Sequence, residues 1–131
     1  MIGHRGIPEI DVAEAERRLQ EASPAEGGPW LVDVREVNEF LAVRAPGASL
    51  FPLSTFLARL QELPQDRELL VICRSGNRSG QATAYLLANG WADVVNVAGG
   101  MIAWERAGLE TRRGAVAPGE GVLPSAPPDP A

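Results

Sequence analysis

One short run, Cys-Arg-Ser-Gly-Asn-Arg-Ser at residues 73–79, combines the single cysteine of the chain with two arginines. An apolar stretch at 69–72 comes directly before it and a helical pattern at 81–87 follows, which predicts a strand, a loop and a helix in that order. The thiol of Cys73 is then expected between a buried strand and a helix N-terminus. Free N–H groups and the positive end of the helix dipole favour a thiolate and bind anions at such a place. The run therefore predicts a site for a nucleophilic thiolate and an oxyanion.

Other types of chemistry lack the residues that they need. The only histidine is His4, close to the first residue, so a Cys-His or Ser-His-Asp arrangement is not expected. A single cysteine excludes an internal disulfide and a multi-cysteine metal site. All twelve basic residues are arginine, and without lysine no Schiff base can form on a side chain. We expect covalent catalysis on Cys73 with no metal and no organic cofactor.

The composition limits the partners and the compartment. A net charge of −5 and the lack of a basic run argue against a nucleic acid or an anionic membrane as partner. No apolar run approaches the ~20 residues of a membrane-spanning helix, and the first residues do not resemble a signal peptide. The expected location is the cytoplasm, where a lone thiol stays reduced.

Short apolar runs alternate with helical patterns along most of the chain. Strands are expected near 7–10, 30–34, 49–51, 69–72 and 94–97, with helices over 11–20, 37–41, 54–63, 79–89 and 99–104. This alternation predicts an α/β domain with a central, mostly parallel five-stranded sheet and helices on both faces. The domain is predicted over 7–113, after a flexible lead-in at 1–6. Residues 114–131 contain five prolines without periodicity and are interpreted as a disordered tail, a docking peptide being the alternative.

Four segments in order resemble the signatures of the rhodanese (sulfurtransferase) family. They are Leu-Val-Asp-Val-Arg-Glu at 31–36 with Glu-Phe at 39–40, Pro-Gly-Ala at 46–48 with Phe-Pro-Leu at 51–53, the cysteine run, and Val-Ala-Gly-Gly-Met-Ile-Ala-Trp at 97–104. The resemblance covers residues 7–112. Four residues separate Cys73 from Arg78, a spacing similar to that of the sulfur-transferring members. The related Cdc25-type phosphatases and arsenate reductases have five.

The resemblance implies a reaction and a set of residues. The Cys73 thiolate would take sulfane sulfur from a donor such as thiosulfate or a persulfide and pass it to cyanide, a thiol or a protein thiol. The loop N–H groups would hold the charged sulfur, so the expected binding residues are those of the loop: Arg74, Ser75, Gly76, Asn77, Arg78 and Ser79. Two alternatives stay open, a persulfide carrier or interaction module with little turnover, and a phosphatase or arsenate reductase.

Several residues outside the loop are expected to support it. Asp33 ends its strand at the same sheet edge and is the expected carboxylate partner of Arg78. Arg35 and Glu39 lie four apart on a helical turn, which predicts an ion pair between them. Arg44 replaces the histidine that is usual in the family before Pro-Gly-Ala. It would bind an anionic donor if its loop borders the site, and a solvated loop residue is the alternative. The Gly99-Gly100 turn is expected at the same edge. The sequence does not identify the physiological donor or acceptor, the pathway or the oligomeric state.

Overall fold

Five parallel strands form one sheet at the centre of the molecule. The computed structural model describes residues 6–124, so most of the expected lead-in and the last part of the expected tail lie outside the described residues. The strands are β1 (Glu9–Ile10), β2 (Trp30–Asp33), β3 (Ser49–Leu50), β4 (Leu69–Ile72) and β5 (Val94–Val97). Their order across the sheet is β1-β5-β4-β2-β3, and every neighbouring pair is parallel.

Residues 6–124 contain four α-helices, of which three connect strands and the last follows β5, and their bounds lie close to those expected. They are α1 (Val12–Glu21), α2 (Val37–Ala42), α3 (Asn77–Ala88) and α4 (Gly100–Arg106). The helix expected over 54–63 is instead two 3₁₀ segments, Leu53–Thr55 and Leu57–Glu62. The hydroxyl of Ser54, in the first of these segments, donates to a carboxylate oxygen of Glu36 at 2.6 Å. Within residues 6–124, no helix is long and apolar enough to cross a membrane.

Each face of the sheet carries its own hydrophobic core, which confirms a parallel sheet with helices on both faces. Successive residues of β4 alternate between the two cores, since side chains on a strand point to opposite faces in turn. Leu70 and Ile72 pack on the side of α1 and α4, whereas Leu69 and Val71 pack on the side of α3. All four are buried, as expected for an inner strand of a parallel sheet.

The carboxyl ends of the strands meet at one edge of the sheet. The register pairs Asp33 of β2 with Ile72 of β4, so the residue after Ile72, Cys73, begins the loop at that edge. Gly99 follows β5 by two residues and lies at the same edge. Ligands of open parallel sheets bind at this edge. The fold thus places the cysteine loop, residues 73–79, where a binding site is expected.

The structure departs from the expectation of disorder at residues 114–124, which we call the C-terminal strap. The strap returns along β3, where the N–H of Leu50 donates to the carbonyl of Gly121 at 2.7 Å. The hydroxyl of Ser49 donates to the carbonyl of Val122 at 3.1 Å, and Leu123 packs against one of the hydrophobic cores. Proline content misled the interpretation, because a segment without helix or strand can still be ordered by hydrogen bonds to an existing strand.

Candidate functional site

The thiol of Cys73 lies under its own loop. Cys73 is only 1% exposed and its side chain belongs to the core on the α3 side. Its Sγ accepts hydrogen bonds from the N–H of Gly76 at 3.1 Å and from the hydroxyl of Ser79 at 3.2 Å. Both donors belong to the cysteine loop. A sulfur atom with two donors directed at it can hold negative charge without a neighbouring base.

Helix α4 fixes the backbone orientation of the first part of the loop. The N–H groups of Met101 and Ile102 donate to the carbonyls of Cys73 and Arg74 at 2.9 and 3.0 Å. A trans peptide directs its N–H opposite to its carbonyl, so the N–H groups of Arg74 and Ser75 point away from α4.

Several loop N–H groups remain available for a ligand. Within residues 6–124 no acceptor is present for the N–H groups of Arg74, Ser75, Asn77, Arg78 and Ser79. The last three begin α3, where N–H groups lack partners within the helix and the helix dipole is positive. A charged sulfur on Cys73 or a bound oxyanion is the type of ligand that such groups stabilise.

Two glycines allow the loop and the α4 turn to approach closely. Gly76 has a φ of +100°, a conformation that residues with a side chain rarely adopt. A Cβ on Gly100 would lie 2.4 Å from the carbonyl oxygen of Cys73 and 2.6 Å from that of Arg74. The Gly-Gly turn is therefore brought to the cysteine loop, and a side chain at Gly100 would disrupt the contact that orients it.

Arg78 pairs with Glu39, and the expected Asp33 partner is wrong. Its two terminal nitrogens donate to the two carboxylate oxygens of Glu39 at 2.8 and 2.7 Å, which links the start of α3 to α2. The hydrogen bonds from Arg78 lower the pKa of Glu39 to about 2, so this carboxylate is ionised at neutral pH. The same pairing raises the pKa of Arg78. Arg78 thus keeps a fixed cation at the helix start, where the dipole alone would disfavour it.

Asp33 pairs with Arg35, and the expected Arg35–Glu39 ion pair is also wrong. Arg35 donates through Nε and Nη2 to the Asp33 carboxylate at 3.0 and 2.8 Å, and its Nη2 also donates to the carbonyl of Val43. Both side chains are buried, at 3% and 0% exposure. The i,i+4 spacing misled because Arg35 precedes the first residue of α2 and turns back toward the end of β2.

Arg44 is buried at 2% exposure and does not border the cysteine loop, contrary to the expectation that it binds an anionic donor. Its guanidinium donates to both carboxylate oxygens of Glu120 at 2.6 and 3.1 Å and to the carbonyl of Gly114 at 2.8 Å. Hydrogen bonding from Arg44 lowers the pKa of Glu120 to about 2. Arg44 is therefore a binding residue for the C-terminal strap.

The exposed part of the loop contains Arg74, Ser75 and Asn77. A groove of about 240 Å³ lies beside Arg74 and is also lined by Ile102 and Glu105 of α4. A larger cavity, about 560 Å³, is lined by Trp30, Arg67 and other residues, none of which belongs to the cysteine loop. Arg74 is thus the arginine of the cysteine loop that is more exposed to solvent.

One residue near the loop escaped the sequence analysis. Asn96 lies within β5, and its Nδ2 donates to the carbonyl of Gly76 at 3.2 Å. The signal was present, since Asn96 is the only polar residue in the otherwise aliphatic run Val-Val-Asn-Val.

As regards metals, the described part of the chain contains no cluster of three or more histidine, cysteine, aspartate or glutamate side chains that could hold an ion.

Known proteins are similar to this chain in sequence and in fold. The profile of the rhodanese-like domain matches residues 11–107, and the chain belongs to the rhodanese-like family. A protein of Allochromatium vinosum named sulfurtransferase is 39% identical over 103 residues, which cover 79% of this chain and 92% of that protein. The crystal structure of a rhodanese-like domain protein from Staphylococcus aureus has a TM-score of 0.69 at 36% identity and covers 79% of this chain and 97% of its own.

Other relatives are longer than this chain. YrkF of Bacillus subtilis, named for a proposed role as a sulfur carrier, is 32% identical, and the match covers 75% of this chain and 51% of YrkF. The adenylyltransferase and sulfurtransferase uba4 of Ogataea parapolymorpha is 34% identical, and the match covers 77% of this chain and 26% of that protein. The family is therefore one of sulfurtransferases and sulfur carriers, in which the domain also occurs as part of larger proteins.

Proposed function

We propose that this protein is a sulfurtransferase that carries sulfane sulfur as a persulfide on Cys73. The Cys73 thiolate attacks the outer sulfur of thiosulfate, the S–S bond of the donor breaks, and sulfite leaves with the bonding electron pair. The persulfide then gives its outer sulfur to a thiophilic acceptor. With cyanide the product is thiocyanate and the Cys73 thiolate is restored, so atoms and charge balance over the two steps. This is covalent catalysis without a general base.

The observation that carries the proposal is the set of donors around Cys73. Gly76 and Ser79 already donate to Sγ, and five further loop N–H groups lack an acceptor within residues 6–124. An added sulfur atom on Sγ bears a negative charge, and preorganised N–H donors stabilise such a charge without reorganisation. Arg74, exposed at the rim, supplies a cation for the sulfonate end of thiosulfate. Arg78, held by Glu39, supplies a second.

A carrier function is the second candidate, supported by the name of YrkF. A carrier accepts sulfur from one protein and delivers it to another with little turnover of small molecules. The burial of Cys73 is compatible with it, since a persulfide under the loop is shielded from free thiols. The cytoplasm, with reduced thiols at hand as acceptors, is the compartment that we propose for either function.

Intact-protein mass spectrometry after incubation with thiosulfate tests the proposal. We expect the mass to increase by one sulfur atom in the wild type and to stay unchanged in Cys73→Ser, with circular dichroism as the control for folding. Turnover from thiosulfate to cyanide identifies a sulfurtransferase, and transfer only to protein thiols identifies a carrier. Loading that persists in Cys73→Ser contradicts the proposal. Hydrolysis of an aryl phosphate in preference to sulfur transfer supports the phosphatase alternative instead.

A further inference from the structure

Asn96 is a polar side chain inside an apolar, fully buried strand. It is 1% exposed, and its neighbours in β5 are valines. Burial of an amide is unfavourable unless its polar atoms are hydrogen-bonded. The Oδ1 of Asn96 has no hydrogen-bond partner within residues 6–124. An aliphatic residue at this position would stabilise the fold more than Asn96 does, so the presence of Asn96 needs a reason other than stability.

The amide nitrogen of Asn96 makes two hydrogen bonds, one to another strand and one to the cysteine loop. Nδ2 donates to a carboxylate oxygen of Glu9 at 2.7 Å and to the carbonyl of Gly76 at 3.2 Å. Glu9 lies on β1, directly opposite Asn96 in the register of the two strands. Val94 and Cys73 share the core on the α3 side, so Asn96, two residues after Val94, faces the same side. Asn96 thus connects an edge strand to the cysteine loop.

The Gly76 carbonyl accepts from Asn96 at 3.2 Å and from the N–H of Gly80 at 3.0 Å, and the two contacts together orient a peptide group of the site. The Gly76 carbonyl points to Asn96 in the sheet, and the N–H of Asn77 belongs to the same trans peptide. That N–H must therefore point away from the sheet, and it has no acceptor within residues 6–124. On the other side of Gly76, its own N–H donates to the Cys73 sulfur.

We propose that Asn96, anchored by Glu9, is a positioning residue that directs the Asn77 and Gly76 N–H groups at an anion on Cys73. The inference deepens the proposed sulfur transfer by adding a residue that acts through the loop backbone. Asn96 does not touch the transferred sulfur. Its effect comes from the geometry of Gly76, whose conformation at φ +100° has no side chain to restrict it.

Asn96→Leu is the first test, because leucine has a similar shape and no hydrogen-bonding group. The Gly76 carbonyl keeps a donor in this variant, the N–H of Gly80 at 3.0 Å, so no new unsatisfied group is created there. We expect the melting temperature to be unchanged or higher. We expect sulfur loading of Cys73 to be slower by about 10- to 100-fold, since misplacement by about 1 Å can cost 100-fold in rate.

Variants that exchange the amide of Asn96 and the carboxylate of Glu9 distinguish a positioning role of Asn96 from a role in stability. Asn96→Asp places a second carboxylate against Glu9 and should lower the melting temperature. Adding Glu9→Gln restores one donor and one acceptor between the two side chains, and the melting temperature should recover. The Gly76 carbonyl still faces an acceptor in the double variant, so loading should remain slow. Recovery of both quantities in the double variant would overturn the proposal.

Alkylation of Cys73 provides a readout that does not depend on sulfur transfer. The ratio of rates with anionic iodoacetate and neutral iodoacetamide reports how well the loop N–H groups stabilise an anion beside the thiol. We expect this ratio to fall several-fold in Asn96→Leu. If the ratio and the loading rate equal those of the wild type, Asn96 is structural and the proposal is wrong. If the wild type loads no sulfur but the ratio falls in the variant, the proposed function fails and the positioning role stands.

Discussion

Removal of the Asp33 carboxylate tests the electrostatics beneath the site. Arg35 is 3% exposed and depends on Asp33 for its only carboxylate partner within residues 6–124, with the carbonyls of Val43 and Glu39 as additional acceptors. Asp33→Ala leaves a buried guanidinium without a counter-charge. The loss of one partner of a buried ion pair typically costs about 3–5 kcal/mol. The backbone N–H of Arg35 also loses its acceptor, an Asp33 oxygen at 3.0 Å, so the upper part of that range is expected.

This cost is large for a domain of this size. Native stabilities are about 5–15 kcal/mol, so the variant should retain only a minority of its stability if the wild type lies near the lower limit. At about 3–5 °C per kcal/mol, the melting temperature should fall by about 10–25 °C. Urea unfolding followed by tryptophan fluorescence measures the free energy of unfolding of the wild type and of the variant. Equal m-values for the two proteins would show that the same surface is exposed on unfolding.

Two controls make the result specific. Glu62→Ala breaks the Arg59–Glu62 pair, whose side chains are 35% and 46% exposed, and should barely change the midpoint because water replaces the lost partner. The double variant Asp33→Leu with Arg35→Met removes both charges and should be less destabilised than Asp33→Ala, since no charge is left buried. If Asp33→Ala costs no more than Glu62→Ala, the pair is not buried in solution and the reasoning is refuted.

Three further predictions concern the strap and the α4 turn. Ending the chain after Arg113 removes the strap and the carboxylate partner of Arg44, so the melting temperature should fall relative to a chain ended after Pro124; equal melting temperatures would mean that the strap does not dock. Because the pKa of Glu120 is lowered to about 2, its pairing should stabilise the fold fully above the ordinary value of 4.5 and lose this effect as pH falls toward 2. The stability difference between the wild type and Glu120→Gln should accordingly be constant from pH 7 to 5 and shrink below 4.5, and a difference that grows on acidification would contradict the assigned pairing. Gly100→Ala brings a Cβ within 2.4 Å of the Cys73 carbonyl and should reduce both sulfur loading and thermal stability, whereas Gly108→Ala, at a position with φ of +72° and open space, controls for backbone strain alone.

The strands and helices could be predicted from the sequence because each depends mainly on the residues of its own segment. The aliphatic run at 69–72 and the mainly aliphatic run at 94–97 coincide with β4 and β5, and Cys73 lies in the loop between a strand and a helix, as predicted. A strand of four buried residues can be read from composition alone, since both of its faces need apolar side chains.

Ion pairs were the part that the sequence could not determine. The correct partners, Arg78 with Glu39 and Arg44 with Glu120, are 39 and 76 residues apart. Spacing suggests only partners on the same element, such as Glu39 for Arg35. Which carboxylate an arginine meets depends on how elements pack, and that is decided by the cores on both faces of the sheet.

The C-terminal strap also affects how the protein behaves in a crowded solution. A strand at the edge of a sheet exposes unpaired N–H and carbonyl groups, which can recruit a strand from another molecule and begin aggregation. The strap covers this edge at β3, where Gly121 accepts from Leu50 and Val122 accepts from Ser49. The opposite edge, β1, is only two residues long and follows Pro8, which has no N–H to offer. A chain that ends before the strap should therefore self-associate on storage even at temperatures where it remains folded. Light scattering should then increase before any unfolding is detected.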